Sequence, residues 1–196
     1  MPLSMDQQSH LTIAAALRSP QISLLGEVAE DMLESFLTQL SRAERGEGDI
    51  VIEITTAGGD AEIGRRLVLE MDLARERMGD RRLLFLGKTE IYSAGVTLMS
   101  AFPVEDRYLT RDAVLLIHGR QLDETFEFKG PMRSSKAEVE ALLARIELGL
   151  IHEEQSFRRL IEGSSISLDE ITDRALHSWY MPAKEAHERG LIAALV

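Results

Sequence analysis

The chain has 196 residues, 44% of them hydrophobic and 28% charged, a composition that supports one sizeable core and excludes the disordered and fibrous classes. It contains no cysteine, which excludes disulfides, thiolate metal sites and thiol catalysis and agrees with a reducing cytoplasm. A formal net charge of -11 opposes nucleic acid and anionic membrane surfaces, no apolar run reaches membrane-spanning length, and no basic segment precedes "LTIAAAL", so a cytoplasmic protein without membrane or nucleic-acid partners is expected.

In chain order, residues 1–20 form a polar arm that ends in a short helical turn and Pro20, and residues 21–196 form a single domain. "QISLLG" reads as a strand. "AEDMLESFLTQLSRAE" carries Met32, Leu33, Phe36, Leu37 and Leu40 at helical spacing, and "DIVIEITT" after it alternates as a strand does. "GGDAEIGRRLVLEMDLARERM" is a glycine-opened helix, "RRLLFLG" a buried strand, and the stretch after Ser93 in "IYSAGVTLMSAF" a helix again. This alternation predicts an α/β fold with a largely parallel sheet. "RYLT" and "AVLLIH" add two short strands, and "LDETFEFKG" alternates as an excursion beside the sheet. From about residue 134 to residue 162 the spacing predicts a long helix, capped by Ser134 or Ser135 and weakened in its middle by Gly149. Its apolar positions Val139, Leu142, Leu143, Ile146, Leu150 and Phe157 make a stripe wider than one small domain covers. A helical pair and "GLIAALV", with Gly190 as a helix stop, close the chain.

Three strand ends carry groups capable of chemistry. Ser93 precedes an apolar helix, where a serine is commonly an N-cap; the same position aims free N–H groups and a partial positive charge at any oxyanion beside the hydroxyl. His118 ends "AVLLIHG" at the C-terminal edge of a strand, where it is either a structural hydrogen-bonding residue or a base. Gly58 and Gly59 in "ITTAGGDAEIG" either make a plain strand-to-helix turn or let backbone approach a ligand, although no phosphate-loop pattern is present. His10, His152, His177 and His187 read as solvated, and no histidine pair has metal-ligand spacing, so neither metal nor cofactor is expected.

These segments together resemble the proteolytic subunit of the Clp protease, a caseinolytic serine peptidase family with a crotonase-like spiral of repeated β-β-α units and a protruding long handle helix. "ISLLGEVAEDM" resembles its first strand and turn, "IVIEITTAGGDAEIG" its glycine-pair segment, "IYSAGVTLMSAF" its nucleophile segment, "RYLTRDAVLLIHG" its histidine segment, and "AKEAHERGLI" its closing segment. The resemblance implies Ser93 as nucleophile, His118 as general base, the amides of Gly59 and Ala94 as an oxyanion hole, and Gly58 and Gly119 beside an extended peptide or unfolded-protein substrate. It also implies a homo-oligomer, a heptameric ring or double ring, and an AAA+ unfoldase partner. The family's catalytic aspartate falls on Arg174 without a gap, so Asp173 completes the triad only after a one-residue shift and is otherwise a surface charge. "IHGR", "TTAGG" and Ala94 also depart from the family pattern and mark a divergent paralogue. Two other readings remain: a catalytically inactive subunit of such a ring, and an acyl-CoA enzyme of the crotonase superfamily, which also uses paired amides but needs neither Ser93 nor His118.

Overall fold

A computed structural model describes residues 13–122, 125–127 and 129–196. The elements follow in the order β1 (Ile22–Leu25), α1 (Glu30–Ala43), β2 (Ile50–Thr56), α2 (Ala61–Met78), β3 (Leu83–Tyr92), α3 (Ala94–Met99), a 3-10 turn (Val104–Asp106), β4 (Arg107–Leu109), β5 (Val114–Ile117), α4 (Met132–Ile161), α5 (Leu168–Ala175), β6 (Trp179–Pro182), α6 (Ala183–Glu188) and β7 (Ala194–Leu195). Strands β1, β2, β3, β4 and β7 lie side by side, all parallel, as the alternation of strand and helix predicts.

Strand β3 changes neighbours along its length. Its first half, Phe85 to Gly87, pairs with β4, and its second half, Glu90 to Tyr92, pairs with β5. Between them Thr89 has φ 54°, and the pairing with β2 slips between Ile54 and Thr56. A β-branched residue at positive φ is costly and persists only where surrounding contacts enforce it. The bend carries Glu90 to Tyr92 out of the main sheet into a small sheet completed by β6, antiparallel to β5. The sequence reading takes β6 for part of a helical pair; "WYMP" is four residues long and shows its buried-exposed alternation only against β5.

The helices bury the faces that their spacing predicts. Met32, Phe36 and Leu40 of α1 and Leu67, Met71 and Ala74 of α2 pack onto one side of the sheet, and the Asp60 carboxylate caps α2 by accepting from the amides of Glu62 and Ile63. On the other side Leu17, from the segment before β1, packs with Val51, Leu84, Leu86 and Tyr108. Helix α4 is the handle: 30 residues, about 45 Å at the usual rise, of which only Phe157 and Leu160 are buried. Val139, Leu143, Ile146 and Leu150 are exposed, so the sheet does not cover the apolar stripe. The helix starts earlier than Ser134. Pro131 precedes its first turn and its carbonyl accepts from the amides of both Ser134 and Ser135, so neither serine is the cap. A proline fixes its own φ near the value that a helix start needs. Gly149 does not interrupt the helix. In the described part of "LDETFEFKG" there is no strand; Asp123, Glu124 and Phe128 lie outside the described residues.

The handle is fixed to the body by a buried arginine that periodicity does not reveal. Arg107 is 1% exposed; its Nε donates to the Phe102 carbonyl at 2.7 Å, Nη1 to Leu160 at 2.6 Å and Leu191 at 3.2 Å, and Nη2 to Arg159 at 3.1 Å. Burial pushes this guanidinium down to about 10, so it remains a cation at neutral pH, held among carbonyl dipoles and the negative end of the handle helix. Replacing it by methionine keeps the volume and strands those carbonyls. Arg107→Met is expected to lower stability by about 3 kcal/mol or more, read as a fall in the urea midpoint at unchanged slope.

Candidate active site

Ser93 is the hinge between β3 and α3. Its backbone has φ 55° and ψ −115°, it is not a glycine, and its hydroxyl makes no capping hydrogen bond. Ser93 thus occupies the N-cap position of the helix without capping it. A serine in a rarely populated conformation at a sharp strand-to-helix turn presents its Oγ above the sheet edge, with the amides of the new helix beside it. The turn is anchored from both sides, since the Ser93 amide donates to the Leu116 carbonyl at 2.9 Å and the Ser93 carbonyl accepts from Val96 at 2.9 Å.

The glycine pair runs against this turn. Gly58 has φ +104°, and a methyl added to it would lie 2.6 Å from Ser93 Cβ and 3.2 Å from Ser93 Oγ. Gly59 has φ +145° and is pressed on Val28, where an added methyl would meet the carbonyl oxygen at 2.4 Å. Val28 donates to the Gly58 carbonyl and accepts from the Asp60 amide, both at 2.8 Å, which leaves the intervening Gly59 amide aimed the other way. Among the described residues neither the Gly59 amide nor the Ala94 amide has an acceptor. Thr56 shapes this turn and escapes a reading by motif. Its hydroxyl oxygen accepts from the Gly58 amide at 3.0 Å, and its methyl sits where a side chain at Gly95 would have to go, 2.5 Å away.

His118 follows directly on β5. Because Tyr92 pairs with Leu116 in the parallel ladder, Ser93 and His118 leave adjacent strands at the same edge, about one residue step apart along the strand direction. Both line one cleft of about 570 Å³ between α2, α3 and the handle, together with Gly59, Ala94, Gly119 and Arg120. The Nδ1 of His118 lies 2.7 Å from the Gly119 carbonyl oxygen. A carbonyl only accepts, so that contact places the ring proton on Nδ1 and leaves the Nε2 lone pair free. The main chain of Gly58 and Gly119 is already engaged. The Gly58 amide is held by Thr56 and its carbonyl by Val28, while the Gly119 amide donates to Ala175 at 3.2 Å and its carbonyl faces His118. Their contribution to the cleft is room. His152 lines the same cleft and is held below the ordinary histidine value by desolvation and by Arg65. Among the described residues no group of three or more histidine, aspartate or glutamate side chains is placed to hold a metal ion.

The sequence pattern of the Clp protease family matches residues 4–196, almost the whole chain. The chain belongs to the Clp protease family. Its fold agrees: a point mutant of ClpP1 from Listeria monocytogenes superposes with a TM-score of 0.69 over 95% of each chain, at 20% sequence identity. No curated protein sequence gives a match. Family and fold together identify a Clp-type chain with the spiral α/β architecture and its handle helix. Among the described residues no helix is long and apolar enough to cross a membrane.

Within that fold Asp173 is not brought to His118. Helix α5 buries Ile171 and Ala175, one turn apart, and Asp173 lies on the opposite, exposed side, outside the cleft. Its neighbour Arg174 stacks on Trp179 at 4.3 Å and pairs with Glu170 at 3.4 Å. The contact at His118 Nδ1 is therefore a backbone carbonyl in place of a carboxylate. The glycine contact yields a direct test. Gly58→Ala has to displace the Ser93 turn, and an error of about 1 Å at a reacting atom typically costs about 10²-fold. Hydrolysis of a fluorogenic peptide is expected to fall by about that factor, with little change in the far-ultraviolet circular dichroism spectrum.

Proposed function

We propose that this chain is a serine peptidase that cuts extended or unfolded polypeptides through an acyl-enzyme, with Ser93 as nucleophile and His118 as general base. The observation that carries the reading is the Ser93 turn: a strained, uncapped serine beside two unengaged amides and one residue step from a histidine. In the attack step Ser93 Oγ adds to the substrate carbonyl carbon while His118 Nε2 takes the hydroxyl proton. The carbonyl oxygen becomes an oxyanion, to which the amides of Gly59 and Ala94 donate; one such donor is typically worth about 10²- to 10³-fold in rate. On collapse the C–N bond breaks, the imidazolium returns its proton to the leaving amine, and the serine ester remains. Water, activated by the same Nε2, then releases the acid and regenerates the hydroxyl.

Asp173 takes no part in these steps, and the role of orienting His118 passes to the Gly119 carbonyl, which fixes the tautomer. Gly58 and Gly119, whose main-chain groups are engaged, leave room for the substrate strand, and Gln121 and Leu122 line the cleft beyond them. The chemistry uses no cofactor.

Reaction with a fluorophosphonate probe tests the proposal. Ser93 is expected to be labelled, and Ser93→Ala to abolish both labelling and peptide hydrolysis while the fold persists. Asp173→Asn should leave turnover within about twofold of wild type, because an exposed carboxylate makes little difference to a group that it does not touch. A chain unlabelled at Ser93 would instead be the non-catalytic ring subunit.

Assembly is part of the proposal. Four large apolar residues of the handle, Val139, Leu143, Ile146 and Leu150, are each at least 41% exposed, and a stripe of this kind on a protruding helix calls for a second copy. A homo-oligomeric ring or double ring, open to an unfoldase, covers it. Light scattering at micromolar concentration is expected to give a mass several times that of one chain, and Leu143→Glu together with Ile146→Glu to lower it; a monomer in the wild type would remove the chamber.

A further inference from the structure

We infer that Glu153, on the handle helix, is a positioning residue for His118 and acts on it through a single peptide group. The inference rests on the peptidase reading above for its catalytic half. The carbonyl oxygen that faces His118 Nδ1 belongs to Gly119, and the N–H of that same peptide unit is the amide of Arg120. This amide donates to Glu153 Oε2. A carboxylate thus sits at one end of a planar N–H/C=O group, and the imidazole sits at the other. Because the unit is rigid, holding its N–H fixes where its oxygen points; because it is polarisable, a negative charge at the N–H end enriches the oxygen that must accept from Nδ1–H. Glu153 does at one remove what the family's aspartate does by contact.

The surroundings agree with this role. Glu153 is half-buried, and a methyl added to Gly119 would lie 3.3 Å from the same Oε2, so the glycine leaves the carboxylate its place. The Arg120 side chain is also held, since its guanidinium pairs with Glu62 of α2 and its stem passes Gly149 of the handle. The Gly119 amide is fixed to Ala175 at the end of α5. The turn that carries the ring contact is therefore clamped by three helices, and among the described residues only the side chains of Glu153 and His118 bond the peptide unit between Gly119 and Arg120.

The test compares Glu153→Ala with Glu153→Gln in the full assembled protein, by hydrogen exchange of the segment containing the Arg120 amide and by the rate of fluorophosphonate labelling. Alanine continues the helix and removes the acceptor; glutamine keeps an oxygen acceptor without the charge. Glu153→Ala is expected to speed exchange at Arg120 and to lower labelling and kcat by about 10- to 100-fold with KM nearly unchanged, while Glu153→Gln restores the protection and most of the rate. Unchanged exchange in Glu153→Ala overturns the inference, and so does faster exchange with an unchanged labelling rate. Should the wild type itself fail to label, the peptidase reading falls and takes the catalytic half with it, and exchange alone then decides whether Glu153 holds the turn.

Discussion

The site depends on one bend. Strand β3 has to serve two sheets, with β4 beside its first half and β5 beside its second, and it turns between them at Thr89, at φ 54°. Without that turn the strand would continue in the main sheet, and Ser93 would end beside β4 instead of beside the strand that delivers His118. The bend has compensation on both sides. Gly87 ends the first half where a side chain would collide with Leu109, 2.4 Å away, and the Thr55 hydroxyl donates to the Lys88 carbonyl at 2.9 Å across the slipped register. Strain of about 1–3 kcal/mol at such a residue is tolerable when neighbours over-determine it, and here the β2 ladder runs along most of the strand.

A second strained residue, Ser93, follows within four positions, and the two have different consequences. Thr89 redirects the strand; Ser93 redirects one side chain. Close packing transmits the second effect to three segments at once, because Thr56 touches both the Gly58 amide and the space above Gly95, while Gly58 touches Ser93. Glycine at 58, 59 and 95 is thus a packing requirement, and at 58 and 59 a conformational one as well. The loop, the turn and the first helical residues constrain one another, which is how the hydroxyl is held without a capping bond near two amides that have no acceptor among the described residues.

Most of this architecture was legible in the sequence, and the reason is physical. Helices α1 and α2 repeat their apolar residues at 3.6 and strands β1 and β2 alternate, so burial follows from order alone. Ser93, His118 and the glycine pair stand at element boundaries, where polar or flexible residues interrupt apolar runs and are conspicuous. What was not legible depends on contacts between distant segments. The strand character of residues 179–182 exists only against β5, and Arg107 reads as a surface charge until residues 102, 159, 160 and 191 converge on it. Asp173 misled for the opposite reason. A carboxylate one position from an expected one looks repairable in a linear alignment, but on a helix one residue is a rotation of about 100°, and Ile171 and Ala175 fix which side faces inward.

That rotation has a consequence for the chemistry. In the proposed attack step a carboxylate at His118 Nδ1 would both orient the ring and stabilise the imidazolium, whereas the Gly119 carbonyl orients it and carries only a partial charge. Hydrogen bonds to ionised acceptors are roughly twice as strong as neutral ones, so the ground state loses little and the charged state formed during attack loses more. A site built this way still selects the correct tautomer. In the proposed mechanism it would place more of the burden of stabilising charge on the amides of Gly59 and Ala94, which have no acceptor among the described residues, and on the negative charge that reaches the carbonyl from behind, where Glu153 sits on the handle. The handle is also the element whose apolar face a single chain leaves open, and its carboxylate and that face are parts of one rigid helix. If Glu153 positions His118 as inferred above, a second copy that steadies the handle would also steady the peptide unit that holds the ring.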